Sequence, residues 1–164
     1  MIVAITGTPG TGKSSASRLL EEEYRVLHIN ELIKEKGFYD GVDEQRDCLI
    51  ADTEKITDYV HERHKEMEEK EILIIESHFS HLLNPDLTIV LKTDTSVLIR
   101  RLEKKGFGKA KIEENIEAEI MDVILTEAVD ISKGLKLNII DTTKTSIEDV
   151  FESIKKIIDE NLGV

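Results

Sequence analysis

Short unbroken apolar runs alternate along this chain with longer stretches in which apolar residues recur every three or four positions. The runs lie at residues 2–5, 26–29, 72–75, 87–91 and 137–140, interrupted only by His28, Thr88 and Asn138. A strand with one wet face alternates apolar and polar side chains. Near-continuous runs therefore predict strands covered on both faces, as in a parallel sheet. Val97, Leu98, Arg101 and Leu102 mark one helix after the fourth run. Ile112, Ile116, Ile120, Val123, Ile124 and Ala128 mark a second at helical spacing. Ile147, Val150, Phe151, Ile154, Ile157 and Ile158 mark the last, opened by Thr145-x-x-Glu148, a capping-box pattern. Strands alternating with helices predict a layered α/β fold around a five-stranded parallel sheet. No internal repeat or low-complexity linker divides the 164 residues, so one domain is expected over 1–164.

Two segments depart from this rhythm. Residues 30–69 are too long for a simple crossover, and Gly37 to Arg46 are rich in Gly, Asp and Tyr. They predict an inserted unit that covers a substrate. Residues 104–111, Lys-Lys-Gly-Phe-Gly-Lys-Ala-Lys, form a basic break between helices. A solvated loop is the plain reading of such a run; its paired glycines also suit a closing lid.

Composition narrows the function classes. Apolar residues make up 40 %, enough for a core and too many for a disordered chain. No apolar run approaches the roughly 18 residues of a membrane-spanning helix. The first run stops at Thr6-Gly7 with no basic segment ahead of it, so neither a membrane span nor a secretory signal is expected. The net charge of −12 opposes non-specific binding to nucleic acid or anionic membrane and favours a basic protein partner. The lone Cys48 excludes an internal disulfide and a cysteine-built zinc site, which fits a reducing, cytoplasmic setting.

The chemistry concentrates in Gly7-Thr8-Pro9-Gly10-Thr11-Gly12-Lys13-Ser14, which matches G-x-x-x-x-G-K-[ST] at every fixed position. A buried strand leads in and a helical stretch leads out. Glycines let successive backbone N–H groups turn inward toward phosphate oxygens, and the following helix adds the positive end of its dipole. Gly10, Thr11, Gly12, Lys13, Ser14 and Ser15 are therefore the candidate ATP-binding residues. Lys13 would neutralise the β/γ-phosphates and the Ser14 hydroxyl would ligate Mg²⁺. A GTPase is disfavoured: no D-x-x-G occurs, and Leu91-Lys92-Thr93-Asp94 lacks the Asn of N-K-x-D. Thr93 and Asp94 read instead as caps of the helix that starts near Thr95.

Glu76-Ser77-His78-Phe79-Ser80-His81 follows the third strand. An acid just beyond an apolar strand is where P-loop enzymes hold magnesium or its waters, so Glu76 is a candidate catalytic and metal residue, acting through water. His78 would stand at the carboxyl edge of the sheet and support the attacking group. Replacement of His81 is expected to affect turnover only mildly.

Further residues narrow the match: Tyr39-Asp40-Gly41-x-Asp43-Glu44, Glu76-x-His78, the run from Arg101 to Phe107, and Lys111-Ile112-x-Glu114-Asn115-Ile116-Glu117-Ala118-Glu119-Ile120. With the phosphate loop they make the chain similar to nucleoside monophosphate kinases. It specifically resembles the adenylate kinase isoenzyme 6 family of ribosome-assembly kinases and ATPases, over residues 2 to about 128. The resemblance implies an NMP-binding insertion at about 30–51 and a short lid at about 104–114. It implies transfer of phosphate from ATP to an NMP such as AMP, with ATP hydrolysis. It also implies a basic small-subunit ribosomal protein as partner, within pre-small-subunit particles, and a role in late rRNA maturation. Eukaryotic members carry Asp at the place of Glu76 and Arg at the place of Lys105. Lys105 and, one turn earlier, Arg101 are the candidates for the ATP contact from the lid. Asp43 and Arg46 are the candidates on the NMP side, where a solvated ion pair is the competing reading. A nucleotide-switched assembly factor with little kinase activity is the alternative. A shikimate-type small-molecule kinase is disfavoured, because residues 30–69 carry few arginines to grip a carboxylate.

Overall fold

The computed structural model describes residues 1–45, 48–132 and 136–163. The chain opens with β1 (Ile2–Thr6), α1 (Lys13–Leu20), β2 (Arg25–His28) and α2 (Ile29–Lys36). A hairpin of β3 (Tyr39–Asp43) and β4 (Cys48–Ala51) follows, then α3 (Thr53–Lys65), β5 (Leu73–Glu76) and β6 (Leu87–Lys92). The last part runs α4 (Thr95–Lys104), α5 (Lys109–Ile120), α6 (Val123–Ser132), β7 (Leu137–Asp141) and α7 (Ile147–Leu162).

The five expected strands form one parallel sheet in the order β2-β5-β1-β6-β7. Side chains alternate across β1. Val3 and Ile5 enter one core with Ala16, Leu20, Val150, Ile154 and Ile158. Ile2 and Ala4 enter the other with Ile29, Leu32, Ile33, Ile56 and Val60. Burying each large aliphatic side chain contributes about 1.5–3 kcal/mol, which explains why both faces of the sheet are covered. β1 lies between β5 and β6, so the chain leaves the middle of the sheet at Thr6, where the strand order reverses. Ligands of open α/β sheets bind in the crevice at that point. The antiparallel hairpin stands apart as its own sheet, and its base packs Leu49 and Ala51 onto the second core beside Phe38.

Local structure departs from the sequence expectation in four places. The single helix expected through Ile112 and Ala128 is two helices. Asp122 takes φ 51° and reverses the chain, the Lys92 ammonium pairs with its carboxylate, and Ile120 is left 66 % exposed. The basic break is shorter than expected: only residues 105–108 lie outside helices, with Gly106 at φ 78°. The α7 cap is shifted by one residue. Ser146, not Thr145, accepts from the Asp149 amide at 3.1 Å, while the Thr145 hydroxyl donates back to Asp141 O. At the start of α4, Asp94 caps as expected, accepting from the Ser96 amide at 2.9 Å. Thr93 does not cap: it is buried, with its hydroxyl 2.6 Å from that of Thr142.

Candidate active site

The phosphate loop leaves β1 through Gly7, whose φ of +143° disfavours side chains. A Cβ there would stand 2.4 Å from the Leu91 carbonyl oxygen of β6. Gly10, at φ +95°, lies against Leu98 and Leu102 of α4 at 2.8 and 3.1 Å from where its Cβ would be. The loop is thus seated directly on β6 and α4, and only glycine fits at both points. Within it the Thr8 carbonyl gathers three donors: the Thr11 amide at 3.3 Å, the Thr11 hydroxyl at 2.9 Å and the Lys13 ammonium at 3.1 Å. No side chain caps α1, and its first turn carries no acid, so its leading amides face no competing anion.

Lys13 is 6 % exposed. Burial pushes its pKa down to about 8, opposed by Glu76 and reinforced by Lys105. A buried ammonium resting on one carbonyl is poised for an anion that repays its lost hydration. Ser14 and Ser15 are exposed at the start of α1.

Register places Glu76 of β5 opposite His28 of β2 and Ile5 of β1. The Ser14 hydroxyl donates to Glu76 Oε1 at 3.2 Å, and His28 Nδ1 lies 2.9 Å from Oε2. The other His28 nitrogen lies 2.7 Å from Glu21 Oε1. Two carboxylates can only accept, so both ring nitrogens donate, and the Glu76 bond above all raises the His28 pKa. Burial would raise the pKa of Glu76, but the His28 bond and the Lys13 charge overcome it and hold the carboxyl ionised. Ser14 and Glu76 therefore offer neighbouring hard oxygens. That donor set fits Mg²⁺, which takes one or two protein oxygens and completes its shell with phosphate and water. Neither His28 nor Glu21 was singled out from sequence; His28 reads there as an ordinary member of a strand.

His78 lies two residues beyond Glu76, its ring edge-on to Phe79 with centroids 5.1 Å apart. Its pKa is pushed down to about 4 by the protein packed around it and then by Lys13. The residue is exposed at the sheet edge, and the ring is a neutral imidazole at pH 7. His81 is 2 % exposed and its Nε2 lies 3.1 Å from Glu127 Oε2. Its Nδ1 lies 2.9 Å from the Thr6 hydroxyl. It ties β1 to α6 as a buried structural contact.

The basic break flanks the same edge. Lys105 acts electrostatically on Lys13, and Lys111 acts on His78. Arg101 turns under the loop, donating to Gly10 O at 3.3 Å, Thr142 O at 2.9 Å and the Thr142 hydroxyl at 3.3 Å. Asp43 is half-buried at the end of β3, where it accepts from the Gln45 amide at 3.0 Å. Arg46 lies outside the described residues. Among the described residues no three His, Cys, Asp or Glu side chains are grouped to hold a metal on their own. None of the described helices is long and apolar enough to cross a membrane.

Comparison with known proteins places this arrangement. Residues 3–122 match the family model of an AAA domain. A relative from Methanosarcina barkeri, described as "Putative adenylate kinase", is 45 % identical over 168 residues, covering 99 % of this chain and 88 % of the relative. One of the same description from Methanocaldococcus jannaschii is 42 % identical over 161 residues, covering 96 % of this chain and 86 % of the relative. A solved deoxyadenosine kinase from M. mycoides shares the fold at a TM-score of 0.57 and 15 % identity, over 98 % of this chain and 100 % of that one. The chain belongs to the AAA-domain family and to the family of these archaeal proteins described as "Putative adenylate kinase".

Proposed function

We propose that this protein is a nucleoside monophosphate kinase that transfers the γ-phosphoryl group of ATP to an NMP, with AMP giving two ADP. The observation that supports it most is the convergence of cations in a chain of net charge −12. Lys13 and Arg101 bond to carbonyls of the glycine-lined loop, Lys105 acts electrostatically on Lys13, and the Ser14–Glu76 oxygen pair stands beside them.

ATP lies along the loop amides of Gly10, Thr11, Gly12, Lys13, Ser14 and Ser15. Lys13 leaves the Thr8 carbonyl for the β/γ oxygens, where charge builds as the phosphoryl group moves. Lys105 covers the nucleotide from the break, and Arg101 holds the loop at Gly10. Mg²⁺ would be held by Ser14 and, through water, by Glu76, and would supply charge neutralisation for the phosphates. The neutral His78 imidazole orients the attacking hydroxyl or water and accepts its proton. The α2 and hairpin insertion, about 30–51, carries the acceptor, with Asp43 and Arg46 on that side. The stretch at about 104–114 closes as a lid and excludes water. Most of the catalysis is positioning and charge neutralisation.

By family resemblance, ATP hydrolysis accompanies transfer and couples to late small-subunit maturation in the cytoplasm. A basic ribosomal protein is the partner, and the acidic surface favours it electrostatically. The test measures ADP formed from ATP and Mg²⁺ with each NMP in turn, with a basic ribosomal protein, and with neither. The kinase reading expects the largest stimulation from an NMP. Stimulation by the basic protein alone overturns it in favour of the nucleotide-switched assembly factor.

A further inference from the structure

Glu119 is an acid near the end of α5, eight residues beyond Lys111, and only 8 % exposed. A carboxylate is costly to bury unless donors meet both oxygens, and here they do. Oε2 accepts from the Thr8 hydroxyl at 2.6 Å. Oε1 accepts from the Thr93 amide at 3.1 Å, with the Lys92 ammonium 4.0 Å away. Those partners belong to two parts of the fold, the phosphate loop after β1 and the end of β6, and Glu119 joins both to the helix that follows the basic break.

Thr8 is the hub of the loop. Its hydroxyl holds Glu119 while its carbonyl holds Lys13 and Thr11. We propose that Glu119 is a positioning residue: by gripping the Thr8 hydroxyl and the Thr93 amide it fixes the entry of the phosphate loop and ties it to α5. This rests on the reading that the loop binds ATP. When Lys13 moves to phosphate, the Thr8 carbonyl keeps only its two Thr11 donors, both from within the loop itself. The Glu119 grip on the hydroxyl keeps Thr8 in place, so the loop amides stay aimed at the phosphates throughout transfer. The same grip makes α5 a lever. At a rise of about 1.5 Å per residue, Glu119 stands about 12 Å along the helix from Lys111. One end is pinned to the loop, and the other carries Lys111, whose ammonium lies over the Phe107 ring of the basic break.

Four variants test this: Thr8→Val, which is isosteric but lacks the hydroxyl, Thr8→Ser, which keeps it, Glu119→Gln, and the double variant Thr8→Val with Glu119→Gln. Each is assayed for kcat, for binding of a non-hydrolysable ATP analogue, and for analogue-induced hydrogen-exchange protection of residues 109–120, below its own melting temperature. The expectation is a fall in kcat of about tenfold for Thr8→Val and for Glu119→Gln, consistent with small misplacements at a phosphate site. Analogue affinity moves less than about threefold, protection of α5 is lost, Thr8→Ser recovers most of both, and the double variant falls no further than the worse single one. Should Thr8→Val fail to fold, Glu119→Gln and Thr8→Ser carry the comparison. Wild-type kcat and wild-type protection in both single variants, with only a lowered melting temperature, overturn the proposal and leave Glu119 a structural tie. A wild-type chain that binds the analogue but turns over nothing removes the kinase reading alone, because the exchange arm still decides on Glu119. A wild-type chain that binds no nucleotide removes both.

Discussion

Lys13 and His78 stand at the same edge and have separable jobs. Lys13 is buried on the Thr8 carbonyl and supplies a full charge to the phosphates. Lys13→Ala is expected to lower turnover by about a thousandfold with the fold intact by circular dichroism; removing one preorganised electrostatic donor typically costs about 10²–10³. His78 supplies orientation and a proton acceptor. His78→Ala is expected to lower kcat about a hundredfold while analogue affinity changes little. Equal losses of affinity and kcat would instead make the ring part of the ATP-binding surface. His81 behaves differently. Its carboxylate and hydroxyl partners fix it as a buried tie, and burial holds its pKa below the ordinary 6.5. As pH falls through 6.5 the unfolded chain takes up a proton that the folded ring resists, so this group withdraws stability from pH 6.5 downward. His81→Gln is expected to lower Tm by about 4–8 °C at pH 7 and to flatten the loss between pH 6.5 and 5. Parallel melting curves of variant and wild type across that range would show no such role.

Among the elements, α7 offers the sharpest check on local structure. Its cap is Ser146, accepting from the Asp149 amide, with the Thr145 hydroxyl turned back to β7. Ser146→Ala is expected to cost about 1 kcal/mol, read as a Tm lower by about 2–4 °C. Thr145→Ala is expected to cost less; the reverse ranking would restore the capping box at Thr145. The split between α5 and α6 has a comparable origin. Apolar spacing continues smoothly from Ile112 to Ala128, yet Asp122 adopts a left-handed conformation and anchors Lys92. A periodicity argument cannot see a reversal made by one residue whose partner lies 30 positions away.

Taken entire, the chain is acidic, with a net charge of −12, while Lys13 and Arg101 are bonded to carbonyls of the phosphate loop and Lys105 lies within electrostatic reach of Lys13. That field repels polyanions at long range and receives a compact triphosphate only where the cations are close. A fluorescent RNA duplex is accordingly expected to show no mobility shift with micromolar protein at 150 mM salt, a condition under which basic proteins bind non-specifically. A shift that weakens with added salt would place a nucleic-acid surface on this protein.

The five strands, their parallel arrangement and the phosphate loop were legible before any coordinates. Each rests on contiguous residues: unbroken apolar runs, helical spacing, and a glycine pattern that backbone sterics require. Gly7 and Gly10 could be expected as glycines, but their neighbours could not; Leu91, Leu98 and Leu102 press on them from β6 and α4. Glu76 was legible because it ends a strand. The His28–Glu21 pair beside it was not, since strand register alone brings residues 28 and 76 together. Glu119 stands in the run of residues that carries the family resemblance, without a role until α5 folds back onto the loop. Thr93 reads as a helix cap and proves to be a buried contact of Thr142 and Glu119. Propensity and periodicity act over a few residues and can be read along the chain. Burial of a carboxylate, the partner of an imidazole and the seat of a lysine depend on which distant segments the sheet order makes neighbours, and packing in three dimensions settles those.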